Sequence, residues 1–147
     1  MTHSTEVLQV AHDTRGVVTL TLNDPARFNA LGSEMLAALQ QALDEIAGDD
    51  TVRVVVLAGA GKAFCAGHNL KDMAAHPDLA WYQQLFAQCS RMMLSLHKLS
   101  VPVIARVHGM ATAAGCQLVA QCDLAVAADS ASFATSGIHY GLFCATP

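Results

Sequence analysis

Polar and apolar residues alternate over Thr19–Asn23, the period of a half-buried strand, and apolar residues recur at helical spacing over Ser33–Ala47. These two periods organise the first third of the chain. Residues 7–12 and Val17–Leu22 read as two strands joined by a turn at 13–16, and Asp24–Pro25 ends the second strand. In the helix that follows, Met35, Leu36, Leu39, Leu43 and Ile46 share one face. Ser33 is the expected N-cap, and Gly48 begins the exit. Residues 53–59 (RVVVLAG) form a β-branched apolar run, expected in a sheet interior covered on both faces. A loop of small residues fills 60–70. A long helix is predicted over Leu79–Lys98, after Pro77. Strands are predicted at 103–108 and 123–128, with a short helix from Ala113 or Ala114 to about Gln121 between them. A last strand or turn falls at 132–135. The order ββαβ-loop-αβαβ predicts an α/β domain with parallel crossovers.

Composition narrows the function classes. The 147 residues are enough for one domain, and 53% hydrophobic against 14% charged residues excludes disorder. The longest apolar stretch, 52–60, is short and interrupted by Arg53, so no membrane span is expected. The formal net charge of −4 and the scattered basic residues argue against nucleic acid as a partner. Five cysteines occur, at 65, 89, 116, 122 and 144, with no C-x-x-C pair. Neither a disulfide framework nor a structural metal site is indicated, and reduced thiols predict a cytoplasmic protein. The N-terminus shows no basic-then-apolar targeting pattern.

Two segments have the character of a binding site: 62–70 (KAFCAGHNL) and 108–118 (HGMATAAGCQL). Each follows a predicted strand and precedes a helix, the edge of an α/β sheet where ligands bind. Small residues there leave backbone N–H groups uncovered. Two such loops side by side can place two donors on one oxygen, an oxyanion hole. The same glycines and alanines also serve tight turns and close packing with no ligand. Gly59-Ala-Gly-Lys62 is not a phosphate loop, because it lacks the longer glycine-to-lysine spacing and Ala63 follows the lysine.

Several motifs agree in order and spacing: Asn23-Asp-Pro-x-x-x-Asn29-Ala-Leu31, Val52-Arg-Val-Val-Val-Leu-Ala-Gly59, Phe64-Cys-Ala-Gly-His-Asn-Leu70, Pro102-Val-Ile-Ala-x-Val-His-Gly109, and Ala114-Gly-Cys-Gln-Leu118 leading to Cys122-Asp123. Together they resemble the crotonase, or enoyl-CoA hydratase/isomerase, family over nearly the whole chain. The resemblance implies the crotonase-like (ClpP/crotonase) ββα superhelix core, with residues 1–147 the N-terminal core of a single domain. It implies an acyl-CoA ligand whose thioester carbonyl sits between the backbone N–H groups of His68 and Ala114. It further implies contacts to the coenzyme A part from Ala30, Ala66, Gly67, Asn69, Leu70 and Gly115, with Arg27, Lys71 and Lys62 as candidates for its phosphates. The coenzyme is then part of the substrate, and no metal or redox cofactor is implied. Hydration, isomerisation and thioester hydrolysis are the reactions the resemblance suggests.

The chain departs from the family pattern where the chemistry lies. Hydratases of the family use two glutamates. The resemblance places Gln117 and Gly137 at those positions. Glutamine orients water but accepts no proton. His139 and Cys144 are the residues nearby that could replace the lost groups. Cys65 and Cys116 are expected to pack against the sheet. Trp81, Tyr82 and Phe86 are expected in the core or lining an acyl pocket. A non-catalytic acyl-CoA-binding protein or assembly subunit is the alternative. The family domain continues past Gly141-Leu, and the helices that follow are absent from this sequence. The apolar surface left uncovered predicts pronounced self-association, and the resemblance implies a trimer or dimer of trimers.

Overall fold

A computed structural model describes residues 2–5 and 7–141. Six strands form the main sheet, in the order β1 (Thr2–Thr5), β2 (Leu8–His12), β3 (Val17–Leu22), β4 (Val54–Gly59), β6 (Val103–Val107) and β8 (Leu124–Ala127). The first three are antiparallel neighbours, and β3, β4, β6 and β8 run parallel. A second, three-stranded parallel sheet joins β5 (Ala63–Cys65), β7 (Met110–Thr112) and β9 (Ser132–Ala134). The parallel crossovers predicted by the alternation of strands and helices are present.

The helices are α1 (Ser33–Ala47), α2 (Leu70–Ala75), α3 (Leu79–Lys98) and α4 (Ala114–Ala120). Both long helices have the bounds their periodicity predicts. Helix α1 buries Met35, Leu36, Leu39, Ala42, Leu43 and Ile46. Helix α3 buries Leu85, Cys89, Met92, Met93 and Leu96, and the two helices pack against each other. Gln40 on α1 donates to the Ser95 hydroxyl on α3 at 2.9 Å.

Two local expectations are corrected. Gly32, not Ser33, is the N-cap of α1, and no side chain caps it. Strand β4 has no exposed position, every residue being buried or half-buried. The loop at 60–70 contains β5 and leads directly into α2, a short helix capped by Asn69, whose Oδ1 accepts from the Lys71 and Asp72 amides. Asp78 caps α3 through the Trp81 amide. Among the described residues no helix is long and apolar enough to cross a membrane.

Strands β8 and β9 are exposed along their whole length. Leu124 and Val126 are 60% and 64% exposed, so apolar surface is open on this side of the chain.

Candidate functional site

Five chain segments converge on one cavity of about 810 Å³: four loop segments, and α3, which contributes Phe86, Cys89 and Ser90. The first runs from β3 to α1. Pro25 opens a 3-10 turn, and Phe28 and Asn29 then both take left-handed backbone conformations, φ 54° and 55°. Two successive non-glycine residues there are strained unless something holds them. The Asn29 side chain does so. It is fully buried; Oδ1 accepts from the Asp24 amide at 2.8 Å, and Nδ2 donates to the carbonyls of Ala60, Ala63 and Phe64 at 2.8, 2.9 and 3.2 Å. One amide thus ties the first segment to the second.

The second segment is 66–71. Leu31 donates its N–H to the Gly67 carbonyl at 2.7 Å, and Ala66 donates to the Phe28 carbonyl at 3.0 Å. Gly67 has φ 87°, the left-handed region that favours glycine. The third segment is the turn at 112–117. Ala113 holds φ 51°, ψ −125°, an unfavourable conformation for alanine, fixed by its N–H donating to the Ala134 carbonyl at 2.8 Å. The fourth is 136–137, joined to the third by Thr112 and Ser136, whose hydroxyls lie 2.6 Å apart.

The second and third segments touch. A Cβ built on Gly67 would lie 3.0 Å from the Ala114 amide nitrogen. Among the described residues neither the His68 nor the Ala114 backbone N–H donates to a protein acceptor. Ala114 is buried, and buried backbone N–H groups are rarely left unpaired. The two N–H groups therefore sit on adjoining turns at the wall of a cavity, without partners.

Most of the sequence-predicted residues are gathered here. Arg27, Ala30, Ala66, His68, Asn69, Leu70, Lys71, Ala114, Gln117 and Gly137 all line the cavity. Arg27 is also paired with Asp24 at 2.6 Å. Gly67 and Gly115 stand behind the wall: a Cβ on Gly115 would meet the Cys65 carbonyl, so its place is set by packing. Lys62 is exposed and does not line the cavity. His139 lies exposed on a 3-10 turn, also outside the lining. Cys144 lies outside the described residues. Phe86 lines the cavity and is partly exposed, whereas Trp81 stacks on His76 at 4.7 Å and packs on the core beside Tyr82. Cys65 is fully buried in β5, and Cys116 is half-buried on α4.

Sequence reasoning missed Phe28, Met73, Cys89, Ser90, Thr112 and Ser136 in the lining. Cys89 and Ser90 come from the long helix α3, where no local pattern distinguishes them from core. Burial pushes the Cys89 thiol up to about 11 and the Cys65 thiol up to about 12, so both stay protonated near neutrality. Burial lowers the His68 imidazole below its ordinary value, opposed by its bond to the Leu31 carbonyl. No Asp or Glu side chain lines the cavity among the described residues, and no cluster of three His, Cys, Asp or Glu is placed to hold a metal.

A family model for enoyl-CoA hydratase/isomerase matches residues 12–146. The chain belongs to the enoyl-CoA hydratase/isomerase family. Within this crotonase family, the mitochondrial enoyl-CoA hydratase domain-containing protein 3 of Xenopus laevis is 45% identical over 141 residues, covering 96% of this chain and 47% of that protein. The 1,2-epoxyphenylacetyl-CoA isomerase of Escherichia coli is 39% identical over 90% of the chain and 52% of its own length. A crystal structure of an enoyl-CoA hydratase from Mycobacterium smegmatis superposes with a TM-score of 0.93 at 61% identity, covering 95% of this chain and 54% of that one. The crystal structure of human enoyl-CoA hydratase domain-containing protein 3 gives 0.90 at 39% identity, with 96% and 55% covered. The chain thus has the crotonase fold and spans about half the length of the relatives it matches.

Proposed function

We propose that this chain forms the acyl-CoA-binding part of a crotonase-family enzyme, in which the backbone N–H groups of His68 and Ala114 polarise a thioester carbonyl. The observation that carries this reading is the pair of N–H groups, unpartnered among the described residues, on touching turns, one of them buried, at the wall of a family member's cavity. Donors fixed in advance where charge develops stabilise an enolate oxygen without reorganising during the reaction, each contributing about 3 kcal/mol. Apolar rim residues Phe28, Leu70 and Phe86 offer contact to an acyl chain or an adenine ring. Arg27 and Lys71 supply positive charge for phosphates.

Crotonyl-CoA tests the reading. Bound ligand raises the thermal unfolding midpoint, and turnover removes the absorbance of the conjugated enoyl thioester. Failure to bind at millimolar ligand sinks it. The lack of an Asp or Glu side chain in the described lining favours one second reading, a non-catalytic acyl-CoA-binding protein, which predicts stabilisation without turnover of any thioester. A homo-oligomer is proposed from the exposed Leu124, Val126 and Phe133. A cytoplasmic location rests on the free thiols alone, and the vertebrate relatives are named as mitochondrial proteins.

A further inference from the structure

Among the described residues, the cavity lining holds one side chain suited to proton transfer near neutral pH. Arg27 and Lys71 are cations, Cys89 is held protonated, and Gln117, Asn69, Ser90, Thr112 and Ser136 do not titrate in that range. His68 remains. Its Nδ1 lies 3.2 Å from the Leu31 carbonyl oxygen, which can only accept, so Nδ1 carries the hydrogen. In the neutral ring Nε2 is then a bare acceptor. Nε2 makes no hydrogen bond among the described residues, and His68 lines the cavity. The ring is held on its other side by Phe86, edge-on at 5.3 Å. Orientation by a backbone carbonyl, a fixed tautomer and an unbonded Nε2 are the attributes of a general base.

We propose that the His68 side chain is the catalytic base of this cavity, moving a proton at the carbon next to a thioester carbonyl. The proposal rests on the acyl-CoA reading above and adds the reaction class: α-proton exchange and double-bond migration, not hydration. His68 Nε2 takes the α-proton. The C–H electron pair becomes the carbon–carbon double bond of an enolate, and the carbonyl π pair moves onto oxygen between the two backbone N–H groups. The imidazolium then returns the proton to the α-carbon, or to the γ-carbon when the enolate is conjugated. No water, oxidant or second base is consumed. A single residue thereby contributes its backbone to the oxygen and its side chain to the proton.

The surroundings support a base that stays neutral. The ionisable groups that line the cavity or stand beside it include Arg27 and Asp24, paired with each other, Lys71 and Asp72 on α2, Cys89 on α3, whose Tyr82, Arg91, His97 and Lys98 lie outside the lining, Cys116 on α4 and the exposed His139. None supplies a charge that perturbs the ring; burial and the Leu31 carbonyl account for its shift.

The test compares wild type, His68→Ala and His68→Gln in heavy water with butyryl-CoA, reading deuterium at the α-carbon by mass spectrometry and affinity by calorimetry. Wild type is expected to exchange above buffer, with a pH profile that rises to a plateau and inflects below 6.5. Both variants keep the backbone N–H and are expected to bind within about threefold of wild type. They lose at least about 100-fold in exchange, and free imidazole partly restores His68→Ala. Nitrogen NMR of wild type, independent of activity and of any variant's folding, is expected to show the Nδ1–H tautomer. Wild-type binding without exchange, variants that exchange at the wild-type rate, or the Nε2–H tautomer each overturn the assignment. Absence of butyryl-CoA binding to wild type overturns instead the acyl-CoA reading beneath it.

Discussion

A Cβ on Gly115 would sit 2.2 Å from the carbonyl oxygen of Cys65, so α4 lies against β5 with no room for any side chain between them. This contact sets the height of the Ala114 N–H at the cavity wall. Gly115→Ala is expected to destabilise the fold by about 1–3 kcal/mol, the ordinary cost of overpacking. Because the blocking atom is backbone, α4 has to move, and acyl-CoA affinity falls with it. Urea unfolding and calorimetry check the two effects, and a variant that binds as wild type does would show that α4 does not set the site.

Asn29 makes a different kind of joint. Asn29→Asp keeps the shape and the bond from the Asp24 amide, but turns an oxygen toward three carbonyls. The carboxyl must be protonated to donate, so its acidity falls on folding. The penalty is therefore largest at alkaline pH and shrinks as pH drops toward about 4. A loss of about 3 kcal/mol is expected at pH 8, with partial recovery at pH 5, measured by urea unfolding at both.

Gln117 lines the cavity at the position where the family resemblance places a catalytic carboxylate. Gln117→Glu adds an acid–base group of nearly equal size. Hydration of crotonyl-CoA by this variant is expected at least about tenfold above wild type, followed by loss of enoyl-thioester absorbance. No gain would mean that bound substrate does not present its double bond to residue 117.

Stability has a defined pH window. Burial raises Cys65 and Cys122 to about 12 and Cys89 to about 11 from an ordinary 9.0. Folded protein holds these protons while unfolded chain releases them, so stability is full below pH 9 and is lost as pH rises toward 11. His68 acts at the other end: its lowered value makes stability fall as pH drops below 6.5. Thermal midpoints across pH 5–11 are expected to show a plateau near pH 7–8 with declines on both sides. At pH 8 the three thiols are expected to react with a maleimide only on unfolding.

Where a periodic face meets a core, the sequence was a good guide. The five apolar positions of α1 define both its bounds and its buried side, and the same holds for α3. Short elements were harder. Strands β5 and β7 have three residues each, too few for a period, and exist because they pair with each other and β7 pairs in turn with β9. The cavity was legible at 66–71 and 113–117 because small residues cluster there. Cys89 and Ser90 were not, because their access depends on the tertiary placement of α3, tied to α2 by the Tyr82 hydroxyl donating to the Met73 carbonyl at 2.7 Å. The role of Asn29 was also hidden. The partners of its Nδ2 lie 31 to 35 positions away.

That separation has a kinetic consequence. The hydrogen bonds that join 24–31 to 60–68, and the one that joins Ala113 to Ala134, close only after intervening strands and helices have found their places. Each closure costs loop entropy before it gains contacts, so parallel pairings of this kind form late and slowly. The cavity therefore has no partial form. In a refolding experiment, secondary structure should return first, and thioester binding should reappear only with the last and slowest phase.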